Sequence, residues 1–451
     1  MTVQSRARWL RFVGLATVSF ALTSGGARAV AQTRQVSVES LVYDLKSPDA
    51  VRRQVAAREL GTAKYRAATP NLVAMAHDPV AAVRRDVELA LERMDDLQTL
   101  PGFVAFASDV ENDIRSRAVA SLVSLHLSRP SGLSAMLTKL GELVALTPDR
   151  DLEMIVEPDV SIDPVVIETL RAKLADSERG IRRTAIRGLG ILRARPAVPD
   201  LLQVAREDRD DALRFDGVRS IRKIGDVSIA EQLVALVNIN GDAVRNELIA
   251  TLGSMRYHGA VPELTRIVEQ AKRTDTPRIL ALAALADIAD PASVPLFEQL
   301  KTDKNEGMRL YANEGIARTA EPAQKSAISG ARLVERSARV RTAQAFALLR
   351  IGESEYLDEL LRALERSATR ELAKEYLLET RPADRQALFA PRATSSAARA
   401  ELADVLGRIG DPTALPRLQE LARDSDGDVA RAAERATRRL AIVTAGSSQE
   451  R

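Results

Sequence analysis

Residues 50–61 read AVRRQVAARELG, and residues 180–191 read GIRRTAIRGLGI. Each sets an apolar residue before two arginines and continues with small and aliphatic residues at helical spacing. Aligning the chain on this apolar–arginine step gives Val51-Arg52, Val83-Arg84, Ile114-Arg115, Ile181-Arg182, Leu213-Arg214 and Val244-Arg245. It continues through Pro277-Arg278, Met308-Arg309 and Val340-Arg341, then weaker copies at Thr369-Arg370, Ala398-Arg399 and Val429-Ala430. The steps lie 29 to 33 residues apart, except for one interval of 67 between Ile114 and Ile181. Eleven of the twelve carry arginine at the same place, which ordinary composition would not produce. A fixed period of this length is the mark of a repeat array.

Each unit reads as two helices. Pro70, Pro101, Pro199, Pro262, Pro295 and Pro416 fall 18 or 19 residues after the anchor and lead apolar stretches such as PNLVAM. Proline suits the first turn of a helix, where a missing N–H leaves no bond unmade. Asp78, Asp109, Asp176, Asp208, Asp303 and Asp424 stand five residues before an anchor, where they are expected to N-cap the second helix. Gly61, Gly225, Gly253, Gly352 and Gly410 are expected to end it.

Paired helices every ~31 residues, a VRRxAAxxLG-like second helix and a proline-led first helix resemble the short HEAT-like repeats of the bilin-lyase type. The resemblance covers roughly residues 38–445. It implies an all-α fold, a right-handed α-α superhelix (HEAT-like solenoid) of about 12 to 13 helical hairpins. It also implies an inter-repeat ladder in which the recurrent aspartates accept hydrogen bonds from Arg52, Arg84, Arg115, Arg182, Arg214, Arg245, Arg278, Arg309, Arg341, Arg370 and Arg399. Such a role is structural, because stacked units live on nearest-neighbour contacts.

The ends of the chain read differently. MTVQSRARWLR is basic, FVGLATVSFALT is apolar, and ARAVAQ closes with small residues, the layout of a secretory signal peptide cut between Ala31 and Gln32. About twelve apolar residues are too few to span a ~30 Å hydrocarbon core. Loss of residues 1–31 removes Arg6, Arg8, Arg11 and Arg28 and leaves 61 basic against 62 acidic groups. A chain of this balance, periplasmic or otherwise exported and with no membrane span after processing, lacks the basic footprint of nucleic-acid binding. Residues 32–37 read as a linker, and the polar GSSQER at 446–451 as a disordered tail.

The long interval holds an irregular acidic segment at 147–164. Three prolines there oppose a continuous helix, and Asp149, Asp151, Glu153, Glu157, Asp159 and Asp163 face one base, Arg150. The segment is either a degenerate repeat with a solvated acidic loop or a place of partner contact.

Chemistry is hard to find. There is no cysteine, which excludes disulfides, thiolate metal sites and cysteine nucleophiles. His77, His126 and His258 occupy different repeat phases, and no HExxH-like face pairs them. HEAT-type hydroxylases that hold a di-iron centre use His-Glu dipeptides, and this sequence has none. DSDGD at 424–428 puts glycine fourth, where an EF-hand needs it sixth. Arginine clusters at 182–195 and 431–439 suit solvated helix faces, and equally a dock for phosphate, anionic lipid or acidic peptide.

The expectation is a non-enzymatic scaffold or adaptor, without catalytic residues, metal or cofactor, that binds a protein or peptide along the concave face. The alternative is a lyase-type enzyme whose site is assembled from scattered repeat residues. Residues just after the anchor vary (Arg53, Arg85, Ser116, Phe215, Asn246, Leu310, Thr342, Glu371), which would suit a shaped recognition surface.

Overall fold

The computed structural model describes residues 37–127, 155–156, 160–238, 241–270, 276–319, 322–390 and 395–449. The signal-like segment with Ala31 and Gln32, and the acids Asp149, Asp151, Glu153, Glu157 and Asp159, lie outside these residues. Among the described residues are 24 α-helices and no strand, arranged as twelve hairpins of an α-solenoid.

A first helix is short and follows a 3₁₀ turn, as in Arg66–Ala68 leading into Thr69–Ala74 with Pro70 in its first turn. The second helix is longer, as in Ala81–Met94. Its Val83, Val87 and Leu91 are buried in one core with Leu72 of its own hairpin and Phe103 and Phe106 of the next. Full burial of such a side chain contributes about 1.5–3 kcal/mol. No hairpin could obtain this alone, and the described core runs unbroken from Leu41 to Leu440.

Second helices of successive hairpins pack directly on one another, and first helices touch far less. The array therefore bends with the second helices inside. Gly61 and Gly253 make this approach possible. They lie within the helices Ala50–Thr62 and Asp242–Ser254 and do not end them, contrary to the sequence expectation. A Cβ on Gly61 would come 2.5 Å from the Cα of Ala90, and one on Gly253 would come 2.7 Å from that of Ala284. Gly225, Gly352 and Gly410 do end helices, with left-handed backbones.

Two further expectations need correction. The recurrent aspartates do not N-cap the second helix. Asp78 accepts from the Val80 N–H at 2.9 Å, and the helix starts at Ala81 with Val80 as its cap residue. Asp109, Asp176, Asp208, Asp303 and Asp424 make the same bond two residues on, an Asx turn that sets the entry angle and leaves the second carboxylate oxygen available. The last helix, Gly427–Gln449, takes in residues 446–449, expected to belong to the tail. The 67-residue interval does not interrupt stacking. Helix Asn112–Ser124 packs directly on Arg179–Ile191. Within the interval, the Val156 N–H donates to the Ile191 carbonyl at 2.9 Å, and Asp163 N-caps Pro164–Ala172.

Candidate functional site

Two sets of polar residues join the hairpins, one at the edge where the second helices begin and one on their inner face. At the edge, Arg84 Nε and Nη2 donate to Asp109 Oδ2 and Oδ1 at 2.6 and 2.8 Å, while its Nη1 donates to the Asp78 carbonyl at 2.9 Å. One guanidinium thus fastens its own hairpin's turn and the next hairpin's carboxylate. Arg115 does the same to Asp176 across the long interval at 3.1 and 3.2 Å. Arg399 reaches Asp424 at 2.7 and 2.9 Å, and Arg309 reaches Glu335 at 2.8 and 3.1 Å. Burial pushes the Asp109 and Asp176 carboxyls up, but the bonds from Arg84, Arg115 and the Asx-turn N–H outweigh it and hold both below the usual range.

The first rung corrects the sequence alignment. Arg53, not Arg52, donates to Asp78, at 2.7 and 3.0 Å, and is buried, while Arg52 is exposed. The tripeptide Val-Arg-Arg occurs at 51–53 and 83–85, yet the structural repeat is 31 residues. The same letters are therefore offset by one position. The signal that would have found this is the 25-residue spacing from Arg53 to Asp78, repeated from Arg84 to Asp109 and from Arg399 to Asp424.

Other anchors keep only part of the pattern. Arg182 donates to the Asp176 carbonyl, Arg245 to that of Val237, Arg278 to that of Val268 and Arg370 to that of Leu364. Arg214 pairs with Asp211 in its own first turn.

On the inner face, buried carboxylates lie beneath half-exposed arginines. Glu88 is covered by Arg117 at 3.0 Å, Asp216 by Arg183 at 2.7 Å and Arg187 at 3.1 Å, and Glu247 by Arg222 at 3.1 Å. Burial pushes the Glu88 carboxyl up to about 7 against the pull of Arg117. Arg219 lies over the Phe215 ring, 5.7 Å from its centre. Further on, Glu314, Arg318, Tyr376 and Glu379 form one connected group, with Glu314 and Tyr376 buried and Arg318 and Glu379 partly exposed. The Tyr376 hydroxyl donates to Glu314 at 2.6 Å, and Arg318 bridges Asp287, Glu314 and Glu379. Burial raises Glu314 and Tyr376, which hydrogen-bond each other in the interior.

The variable positions after the anchors do not form one surface. Arg53, Leu310 and Thr342 are buried, and Arg85 is engaged by Asp113. The inner surface is instead shaped by arginines at unequal distances from the anchors, with Arg183 directly after Arg182 and Arg222 two turns beyond Arg214, which variation at a single position does not reveal. The DSDGD stretch forms two successive Asx turns, at Asp424 and Asp426. His258 contacts Asp290 and His126 its own helix, and no group of three metal-ligating side chains occurs among the described residues. Nor is any described helix long and apolar enough to cross a membrane.

No curated protein matches the sequence. Among solved structures, the chain is similar to an engineered protein (17% identity, 89% of this chain, 98% of that one, TM-score 0.38). It is also similar to Kap121p (14%, 90% and 53%, TM-score 0.42) and to human deoxyhypusine hydroxylase (22%, 55% and 96%, TM-score 0.27). The pattern described as HEAT repeats matches residues 38–123, and the PBS lyase HEAT-like repeat matches 181–207 and 398–424, so the chain carries HEAT repeats of both descriptions.

Proposed function

We propose that the protein is an exported, non-enzymatic scaffold or adaptor that holds a protein or extended peptide against the inner face of its HEAT-repeat solenoid. HEAT solenoids commonly bind protein partners. The observation that carries the reading is the inner row of Arg117, Arg183, Arg187 and Arg222, each anchored on a buried carboxylate and still open to solvent. Anchoring removes much of the rotamer freedom that a surface arginine would lose on binding, and arginine is among the residues that dominate interface energetics. The PBS-lyase pattern describes a type of repeat.

The test is affinity capture from envelope extracts with the chain starting at Gln32, run beside an Arg183→Ala/Arg187→Ala variant. A partner recovered with the parent and lost with the variant supports the inner face as the docking surface. Equal recovery with both contradicts it. Intact mass of the exported product checks processing, since a start away from Gln32 removes the export reading.

A further inference from the structure

At one place the edge pattern is reversed in charge. Counting 25 residues from Arg341, the step that takes Arg53 to Asp78, Arg84 to Asp109 and Arg399 to Asp424, leads to Arg366. The repeat therefore has a cation where Asp78, Asp109 and Asp424 stand in theirs. Between the start of helix Ala338–Ile351 and the end of helix Leu357–Ala363 lies a cleft of about 440 Å³ lined by Arg336, Arg341, Arg362 and Arg366. None of these four guanidinium groups has a hydrogen-bond or ion-pair partner among the described residues. The nearby carboxylates are engaged elsewhere. Glu359, also in the lining, pairs with Arg332, Glu335 with Arg309, and Glu365 accepts from the Ser395 N–H.

We infer that this cleft is a binding site for a compact polyanion bearing two phosphate groups. Like charges gathered in a cleft repel one another, and an anion that meets several forks at once relieves this. Charge matching selects the class. With Glu359 offset by Arg332, the lining carries four uncompensated positive charges, and two phosphate groups bring about three to four negative ones. Arginine forks fit phosphate oxygens two at a time. The cleft also opens on the first turn of a 14-residue helix, whose N-terminal dipole adds in the same direction. With arginine at 366 in place of a ladder acid, Arg341 lacks the carboxylate its counterparts have and the cleft gains a further cation.

The test is calorimetric titration of the full chain with inorganic pyrophosphate at constant sodium concentration. The parent should show saturable one-site binding. Arg366→Asp, which returns the ladder acid to its usual place, and Arg366→Gln and Arg362→Gln, which only remove charge, should each weaken it by about tenfold or more. Arg58→Gln, on an arginine already paired with Asp86, should leave it unchanged. Absence of saturation by the parent, or affinity in both Arg366 variants within about twofold of the parent, overturns the inference.

Discussion

The hairpins around residues 50–124 and those around 306–378 have the same fold and are joined differently. In the first group the edge carries the connection, since Arg53–Asp78, Arg84–Asp109 and Arg115–Asp176 tie each hairpin to the next through two-pronged bonds. In the second, the edge connection stops after Arg309–Glu335 and is reversed at Arg341 and Arg366, while the inner face takes over. There Arg318 and Glu314 reach past the intervening helix Ala338–Ile351 to Glu379 and Tyr376, and Tyr376 stacks on Phe346 of that helix at 4.4 Å. A solenoid needs adhesion between neighbours, and the chemistry can move from edge to inner face without changing the fold. An edge released from that task can carry a ligand.

Substitutions can break or sharpen this contrast. The largest effect is expected at the first rung: Arg53→Ala leaves the Asp78 carboxylate buried and unpaired and should cost about 3–5 kcal/mol in chemical denaturation. Arg52→Ala, one residue away and exposed, should stay within about 0.5 kcal/mol. Equal effects would erase the one-residue offset. Next comes Glu88, whose raised carboxyl adds stability below its unfolded value near 4.5 and withdraws it as pH rises through about 7. Glu88→Gln should therefore be about 3 kcal/mol more stable than the parent at pH 8, with the gain shrinking toward zero near pH 4.5. A constant difference across that range would contradict the burial argument. Tyr376→Phe removes the hydroxyl that satisfies buried Glu314 and should cost about 2 kcal/mol, with little response if the inner network bears no load. The smallest effect is a gain: Arg366→Asp should restore an edge rung and add about 1 kcal/mol, measurable as a rise in Tm.

Much of the architecture was legible because it is periodic. Proline in the first turn of the short helices, arginine near the start of the long ones and aspartate before them recur often enough to be read without coordinates. What failed did so for local reasons. A repeated Val-Arg-Arg invites alignment on its letters, while packing follows the 31-residue spacing; Val51 is 63% exposed, and the buried stripe is Ala56, Ala57 and Leu60. Glycine near a helix end reads as a stop, yet Gly61 and Gly253 are there because a neighbouring helix presses on them. Aspartate before a helix reads as a cap, but an Asx turn uses one oxygen on the backbone and offers the other to the preceding hairpin. The inner network could not be seen at all, because Arg318 and Glu379 are 61 residues apart and meet only once curvature brings alternate second helices together. The charge reversal at Arg366, by contrast, was open to view once the 25-residue spacing was known.

Hydrogen exchange followed by mass spectrometry, on the full chain and on Arg53→Ala, tests the stacked-hairpin account most directly. If each hairpin is held by its neighbours, faster exchange in the variant should be confined to the helices Val38–Asp44, Ala50–Thr62 and Ala81–Met94. A uniform acceleration reaching Ala338–Ile351 and Ser396–Ile409 would show a single cooperative globule instead, and would contradict it.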